Sequence, residues 1–236
     1  MPECFNSPYG TQYFHEYSEV EKNSTTLASL KDQLKKTPCY LVAGSIPEMD
    51  NKKCYNTSFI FNPDGEIIGK HRKVHLFDID IPGKITFQES LTLSPGETST
   101  AVNIGKANLG VGICYDIRFP EQALYMRYKQ NCNLLVYPGA FNMTTGPAHW
   151  ELLARGRAID TQSYVIVASP ARHKEEEKDY EAWGHSSIIS PWADVVAKLD
   201  ENEGILVSEL NFDKVEEIRQ NIPIQNQRKP GMFDSC

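Results

Sequence analysis

The sequence predicts an α/β fold, in which helices pack against mixed β-sheets. Short apolar runs of strand length alternate with helical segments over residues 108–169, the pattern of a layered α/β domain. Two more pairs of strand-like runs, at residues 55–76 and 186–200, are joined by turn residues and predict β-hairpins. The chain has 236 residues, 40% of them hydrophobic, which is enough for one sizeable core. No linker and no internal repeat divides the sequence, so we predict one domain over residues 1–236.

Each element has its own local signal. The turn Asn62-Pro63-Asp64-Gly65 joins the two halves of the first hairpin. Pro120 at a first-turn position, with the acidic Glu121 beside it, starts a helix, and Asp213 is predicted to cap the last one. Outside the hairpins, the predicted strands cover residues 39–48, 108–113, 133–139, 163–169 and 204–210. The predicted helices cover residues 120–131, 147–162 and 213–221.

Composition excludes some classes of protein. A net charge of −7 argues against binding to a nucleic-acid backbone. No run of 18 apolar residues predicts a membrane span, and the start MPECFNSPYG does not have the pattern of a signal peptide. We therefore expect no nucleic-acid and no membrane partner, and a location in the cytoplasm, with mitochondria as the alternative.

One cysteine stands out from the rest. No two cysteines form a CxxC pair, and without a secretory signal we expect all of them to be reduced thiols. Cys114, however, ends an apolar strand just before a helix, where α/β sheets place their ligands. From position alone, a buried structural thiol and a functional thiol are equally good interpretations. The six cysteines are Cys4, Cys39, Cys54, Cys114, Cys132 and Cys236.

Four segments resemble a known family. The segment GICYDIRFPE around Cys114 is similar to the nucleophile segment of the nitrilase superfamily, the carbon–nitrogen hydrolases. The matching segments also include PECF at 2–5, HRKVHLF at 71–77 and ITFQES at 85–90, in the family's order. The resemblance implies an αββα sandwich with mixed sheets. It also implies that Cys114, Glu3, Lys73 and a second glutamate, Glu89, are the active-site residues.

Longer segments resemble the omega-amidase group within that superfamily. They are CFNSPYG at 4–10, HLFDIDIPGKITFQES at 75–90 and YPGAFNMTTGPAHWELL at 137–153. The resemblance implies hydrolysis of the side-chain amide of 2-oxo acid amides, such as 2-oxoglutaramate and 2-oxosuccinamate, through a cysteine acyl-enzyme. We expect a small-molecule amide substrate, no cofactor, no metal and a homodimer.

Elementary chemistry supports these residue types. Attack by the Cys114 thiol splits a difficult amide hydrolysis into two easier steps. Glu3 is then the general base, and Lys73 stabilises the oxyanion together with the backbone N–H of Tyr115. Two carboxylates facing one ammonium leave an excess negative charge. Glu89 is therefore expected either to be heavily hydrogen-bonded or to have a raised pKa.

The substrate's carboxylate requires a cation. Arg118 is our candidate because it shares the turn of Cys114, and Arg155 and Arg157 are its rivals. Further candidates to line the pocket are Phe141, Asn142 and Thr144, together with Tyr115.

Two histidines raise the question of a metal site. His71 and His75 are spaced four residues apart, as in some zinc sites. We reject zinc because the segment is predicted to be a strand end and offers neither a third ligand nor an HExxH motif.

The chain departs from the family at its start and in its tail, RKPGMFDSC. Family members carry a further strand, helix and strand before the segment of Glu3, so we expect that first strand–helix–strand to be missing, Glu3 to be loosely held and activity to be weak. This leaves an alternative, a non-catalytic form that only associates with full-length subunits. The test that separates the two is whether Glu3 lies within reach of Cys114.

Overall fold

The computed structural model describes residues 1–172 and 180–232, in which helices and sheets form layers. The first layer is helix α1 (Thr25–Lys36), which begins where the Ser24 hydroxyl accepts a 2.9 Å hydrogen bond from the N–H of Leu27. Leu27 and Leu34 of α1 pack against Phe59 of the first sheet. The helix therefore covers the outer face of that sheet.

The first sheet is antiparallel and centred on one long strand. Its described strands are β1 (Leu41–Val42), β2 (Ile46–Asp50), β3 (Lys53–Phe61) and β4 (Ile67–Arg72). Strand β3 pairs with β1 and β2 along one edge and with β4 along the other. A separate hairpin follows, made of β5 (Asp78–Ile81) and β6 (Ile85–Gln88).

The second sheet is mixed. Its described strands are β7 (Thr100–Asn103), β8 (Asn108–Val111), β9 (Leu134–Pro138), β10 (Tyr164–Ala168), β11 (Ser187–Ile189) and β12 (Val195–Lys198). Strands β8, β9 and β10 are parallel, and the outer strands are antiparallel to their neighbours. Helix α2 (Pro120–Tyr128) connects β8 to β9, and α3 (Gly146–Thr161) connects β9 to β10. Parallel neighbours require such crossovers.

Side chains of β9 alternate between the two faces of this sheet. Leu134 and Val136 point toward the first sheet, where they pack with Ile60 of β3. Leu135 and Tyr137 point the other way, into the core formed with α2 and α3. Both faces of the strand are therefore buried, as expected for a central parallel strand. The order of layers is helix, sheet, sheet, helix, which confirms the predicted αββα sandwich with mixed sheets.

Both hairpins and the strand–helix alternation from β8 to β10 are confirmed. The predicted strand at 39–48 is divided into β1 and β2 at Gly44, where φ is +57° and an added Cβ would lie 2.1 Å from the carbonyl oxygen of Pro2. Glycine meets both demands because it has no Cβ.

The predicted strand at 204–210 is wrong. In the structure this segment pairs with no described strand, and Ile205 and Val207 are 88% and 84% exposed. An apolar run shows a preference for extended backbone but does not supply a neighbour to pair with.

The start of the predicted helix at 213–221 also differs. Helix α4 (Asp213–Asn221) has Phe212 at its N-cap and no side-chain capping bond, so the predicted cap by Asp213 is wrong. Asp213 lies instead in the first turn, where its charge interacts favourably with the helix dipole. The short helix α5 (Ile224–Gln227) follows.

Helix α1, strand β7 and the hairpin of β5 and β6 were not predicted. Leucines 27, 30 and 34 behind Ser24 are a signal that identifies α1. All described cysteines are free thiols, and Cys236 lies outside the described residues. Within the described ranges, no helix has both the length and the apolar character needed to cross a bilayer.

The layered core makes a testable prediction about stability. Leu135→Ala should lower the free energy of unfolding by about 2–5 kcal/mol, because Leu135 is fully buried between β9 and the helices. Leu152→Ala is the matched control, since Leu152 on α3 is 69% exposed and should change stability by no more than about 0.5 kcal/mol. Urea denaturation measures both, and equal losses would contradict the layer assignment.

Candidate active site

Four predicted site residues converge at one place. Lys73 follows the end of β4, and Cys114 follows the end of β8, so each stands at the carboxyl end of a strand in a different sheet. Glu89 follows β6, and Glu3 lies in the N-terminal segment. All four side chains are buried. The sandwich therefore brings together residues from four separate segments of the chain.

Lys73 is the centre of this cluster. Its ammonium donates hydrogen bonds of 2.9 Å to Oε1 of Glu3 and 2.9 Å to Oε1 of Glu89. Its backbone N–H donates to the carbonyl oxygen of Asn56 at 2.8 Å, which ties the residue to β3. Burial disfavours the charged form, but the carboxylates of Glu3 and Glu89 outweigh that effect and raise the pKa of Lys73 well above its usual value. Lys73 is therefore a buried, permanently charged ammonium.

Glu3 is held firmly, contrary to the expectation of a loosely held residue. Its Oε1 accepts a second hydrogen bond, of 2.8 Å, from Asn56 Nδ2. The neighbouring backbone is fixed by Ser45, whose hydroxyl accepts from the N–H of Cys4 at 2.9 Å. Oε2 of Glu3 is buried without a hydrogen-bond partner among the described residues, and this carboxylate is close enough to Cys114 to raise the pKa of its thiol. Glu3 therefore lies within reach of Cys114.

The electrostatics of this pair suit proton transfer. Burial raises the pKa of Glu3, Lys73 opposes that shift, and Glu89 adds to it. Burial and then the Glu3 carboxylate raise the pKa of the Cys114 thiol well above its usual value, which outweighs the opposing effect of Lys73. The resting thiol is therefore protonated at neutral pH. A base would be needed to deprotonate it, and the neighbouring Glu3 carboxylate is the candidate.

Cys114 lies on a strained turn. Its φ is +47°, a left-handed conformation that non-glycine residues rarely adopt, and it begins a 3-10 helix at Cys114–Arg118. The backbone N–H of Ala140 lowers the pKa of its thiol, against the larger effects of burial and Glu3.

Glu89 is heavily hydrogen-bonded, which was one of the two expectations for it. Besides Lys73, the hydroxyl of Tyr9 donates to Oε1 at 3.0 Å, and the N–H of Phe77 donates to Oε2 at 2.7 Å. These bonds orient the carboxylate that fixes the far side of Lys73. Glu89 therefore holds the lysine in position.

The sequence did not predict a cluster of three aromatic rings at the site, those of Tyr9, Phe87 and Tyr180. The ring of Tyr9 lies 4.5 Å from that of Tyr180 and 5.8 Å from that of Phe87, centroid to centroid. The hydroxyl of Tyr180 donates a short hydrogen bond to the carbonyl oxygen of Ala140, beside Cys114. These rings come from distant segments, and no local spacing connects them.

Arg118 has the properties of an anion-binding residue. Its guanidinium lies 4.9 Å above the ring of Phe141 and 5.5 Å from that of Tyr115, and Nη1 lies 3.2 Å from Nδ1 of His149. Burial lowers the pKa of Arg118. It forms no ion pair with any carboxylate in the described part of the chain. A half-buried cation without a counter-ion favours binding of an anion.

The rival arginines are engaged elsewhere. Arg157 donates to the carbonyl oxygen of Ile117 at 2.9 Å and pairs with Asp160. Arg155 donates to the carbonyl oxygen of Ala193 at 3.0 Å and lies 3.9 Å from Glu151. Both therefore stabilise the fold around α3.

The remaining candidates form the turn before α3. Phe141 packs on Trp150 with ring centroids 4.9 Å apart, below Arg118. Oδ1 of Asn142 accepts hydrogen bonds from the backbone N–H of Thr144 at 3.0 Å and of Thr145 at 2.9 Å. The Asn142 side chain therefore stabilises the turn. Its Nδ2 is buried without a partner among the residues described.

A second missed residue is Asp116. His71 and His75, the pair that raised the question of zinc, both contact its carboxylate. Among the described residues, no set of three or more His, Cys, Asp or Glu side chains is arranged to hold a metal ion.

The αββα fold thus brings Glu3 of the N-terminal segment together with Lys73 and Cys114 at two strand ends. The family model for carbon-nitrogen hydrolases matches residues 1–220, and the chain belongs to this family.

Individual relatives narrow the class to amidases. Omega-amidase NIT2 of Xenopus tropicalis is 55% identical over 234 residues, which cover 99% of this chain and 83% of that protein. Omega-amidase NIT2 of Homo sapiens is 52% identical over 233 residues, with the same coverage. The crystal structure of Saccharomyces cerevisiae Nit3, a member of branch 10 of the nitrilase superfamily, superimposes with a TM-score of 0.86 at 47% identity. It covers 97% of this chain and 81% of that one. The protein is therefore a hydrolase acting on amides.

The alternative of a non-catalytic chain gains no support. It depended on Glu3 being out of reach of Cys114, whereas both lie in the same buried cluster as Lys73.

Lys73→Met should destabilise the protein more as the pH rises. Removing Lys73 takes away the group that lowers the pKa of Glu3, so the folded-state pKa lies further above the unfolded value. Such a group stabilises the fold below its unfolded pKa and loses that contribution as pH rises through the folded pKa. We expect a loss of about 3–5 kcal/mol at pH ~8 and a smaller loss at pH ~5.

Urea denaturation at both pH values measures this difference. Lys35→Met is the control, because Lys35 is exposed and pairs with the equally exposed Asp32. An equal loss at both pH values for Lys73→Met would contradict the assigned electrostatics.

Proposed function

We propose that this protein hydrolyses the side-chain amide of 2-oxo acid amides, such as 2-oxoglutaramate and 2-oxosuccinamate, to the 2-oxo diacid and ammonia. The observation that carries the proposal is the buried cluster in which Lys73 holds Glu3 beside Cys114. The substrate class is supported by relatives at 52–56% identity that are omega-amidases.

In the first half-reaction the substrate amide is cleaved. Glu3 removes the proton of the Cys114 thiol as the sulfur attacks the amide carbon. The oxygen of the tetrahedral intermediate is stabilised by Lys73 and by the backbone N–H of Tyr115. An ammonium has three protons, and two of those on Lys73 bond to Glu3 and Glu89; with no further acceptor among the described residues, the third is left for the oxyanion. Glu3 passes its proton to the leaving nitrogen, ammonia departs, and a thioester remains on Cys114.

In the second half-reaction the thioester is hydrolysed. Glu3, ionised again after giving up its proton, takes a proton from a water molecule that attacks the thioester carbon. The intermediate collapses, its C–S bond breaks, and the proton on Glu3 returns to the sulfur of Cys114. The product leaves as the acid, its new carboxyl group loses a proton to the solvent, and the site regains its starting protonation. One carboxylate therefore serves both half-reactions.

Arg118 recognises the carboxylate at the other end of the substrate. It is the half-buried cation beside Cys114, and the rings of Phe141 and Tyr115 hold its guanidinium plane in place. A planar guanidinium offers parallel N–H donors to a carboxylate, and this selects substrates that are both amides and acids.

Cys114→Ala should abolish ammonia release from 2-oxoglutaramate, because no acyl-enzyme then forms. Cys132→Ala is the matched control, since Cys132 is a buried thiol packed in the core beside Leu135. Ammonia release measured for both variants tests the nucleophile, and intact-protein mass spectrometry of the wild type with a slowly hydrolysed amide tests the intermediate. Activity of Cys114→Ala within about tenfold of wild type, or the absence of any adduct on Cys114, would contradict the mechanism.

Arg118→Leu should raise KM for 2-oxoglutaramate by about 10- to 100-fold, the loss expected when one charge-assisted contact of about 1.5–3 kcal/mol is removed. For a neutral amide of the same length without the carboxylate, KM should change little. Arg155→Leu is the control, because Arg155 bonds to Ala193 and Glu151 instead. Steady-state kinetics measure KM for both substrates. An equal change in KM for the acidic and the neutral amide would contradict a role of Arg118 in carboxylate recognition.

A further inference from the structure

A fully buried carboxylate outside the catalytic cluster connects the two segments that supply the nucleophile and the lysine. Asp116 has no exposed surface. Its Oδ2 accepts a 2.9 Å hydrogen bond from the backbone N–H of Ile113, the residue before Cys114. Its Oδ1 accepts from the backbone N–H of His75 at 2.9 Å. One side chain therefore bonds directly to the backbone of both segments.

The two histidine rings complete this connection. Nδ1 of His75 lies 2.8 Å from Oδ1 of Asp116, and Nε2 of His71 lies 3.1 Å from Oδ2. The ring of His75 also stacks on that of Phe119 at 3.6 Å. His71, Lys73 and His75 stand at alternate positions, so residues on both sides of Lys73 contact Asp116.

The turn at Cys114 depends on such support. A non-glycine residue at φ +47° is strained by about 1–3 kcal/mol and persists only where its surroundings fix it. Asp116 closes this turn twice. Its backbone N–H donates to the carbonyl oxygen of Ile113 at 3.0 Å, and its carboxylate accepts from the N–H of Ile113.

We propose that Asp116, with His71 and His75, is a positioning residue that locks the turn of Cys114 to the segment of Lys73. This deepens the proposed function, on which it rests, and assigns Asp116 no contact with the substrate. Its effect is to keep the sulfur and the ammonium at one relative placement during attack. A displacement of about 1 Å between reacting groups costs roughly 10²-fold in rate.

Asp116→Asn tests this with little change in shape. The converging N–H groups need two acceptor oxygens, and an asparagine offers one oxygen and one NH₂ group. An imidazole can exchange donor and acceptor nitrogens, but the backbone N–H groups of Ile113 and His75 cannot. One of them loses its partner, so the connection between the segments loosens.

A pair of variants at His75 provides a second route, because its side chain is 27% exposed and tolerates change better. His75→Asn keeps an N–H donor near the place of Nδ1, whereas His75→Leu removes it. Glu48→Gln is the matched control, since Glu48 is another buried carboxylate, bonded to Thr57 and Arg72.

The experiment measures kcat and KM for 2-oxoglutaramate, with each kcat divided by the fraction of folded, alkylatable Cys114. For Asp116→Asn and His75→Leu we expect kcat to fall about 10²-fold with KM within about threefold of wild type, and His75→Asn to recover most of that loss. Glu48→Gln should lower the melting temperature and leave the corrected kcat unchanged.

Other results would overturn the proposal. A corrected kcat equal to wild type in the folded variants means that Asp116 is only structural. A rise in KM that accounts for the whole effect means that it acts on binding. If Asp116→Asn does not fold, the His75 pair decides, and equal kcat for His75→Asn and His75→Leu contradicts the proposal. Cys114→Ala is assayed alongside, because full activity there refutes the proposed function itself, independently of Asp116.

Discussion

The ammonium of Lys73 between two buried carboxylates is the interaction on which the site depends. Glu3 and Glu89 approach each other only because a positive charge lies between them, 2.9 Å from each. The protein interior disfavours isolated charges, so removing the ammonium leaves two buried carboxylates uncompensated. Glu89 is fixed from behind by Tyr9 and the N–H of Phe77, and it is the anchor of the arrangement. In the proposed mechanism Glu3 is the group that exchanges protons with sulfur, nitrogen and water.

The sandwich explains why these charges meet at all. Lys73 leaves the first sheet at the end of β4, and Cys114 leaves the second at the end of β8, while the apolar surfaces of Ile60 and Val136 hold the two sheets face to face. A shift of one sheet over the other would separate base from nucleophile. Asp116 bonds across the same gap at its polar edge. Apolar packing thus sets the distance between the sheets, and hydrogen bonds set the alignment of the reacting groups.

The parts of the fold and site that depend on neighbouring residues in the sequence were predictable. The hairpins, the strand–helix alternation and the position of Cys114 at a strand end all follow from patterns within a few residues. The roles of Glu3, Lys73 and Glu89 required the resemblance, because a lone acid or lysine has no local mark of catalysis. Asp116 was missed because its partners, His71 and His75, are 45 and 41 positions away in the sequence. Local sequence patterns do not show contacts at such separations. The strand predicted around Ile205 failed for the same reason, because strand formation depends on a neighbour.

Backbone strain at the site has a consequence for the balance between stability and activity. Cys4, next to Glu3, has the same φ of +47° as Cys114, so unfavourable backbone lies on both sides of the proposed proton transfer. A glycine would adopt either conformation without penalty but would remove the nucleophile at 114. If Cys114 is the nucleophile, as proposed, the chain gives up some folding free energy at that position in exchange for reactivity.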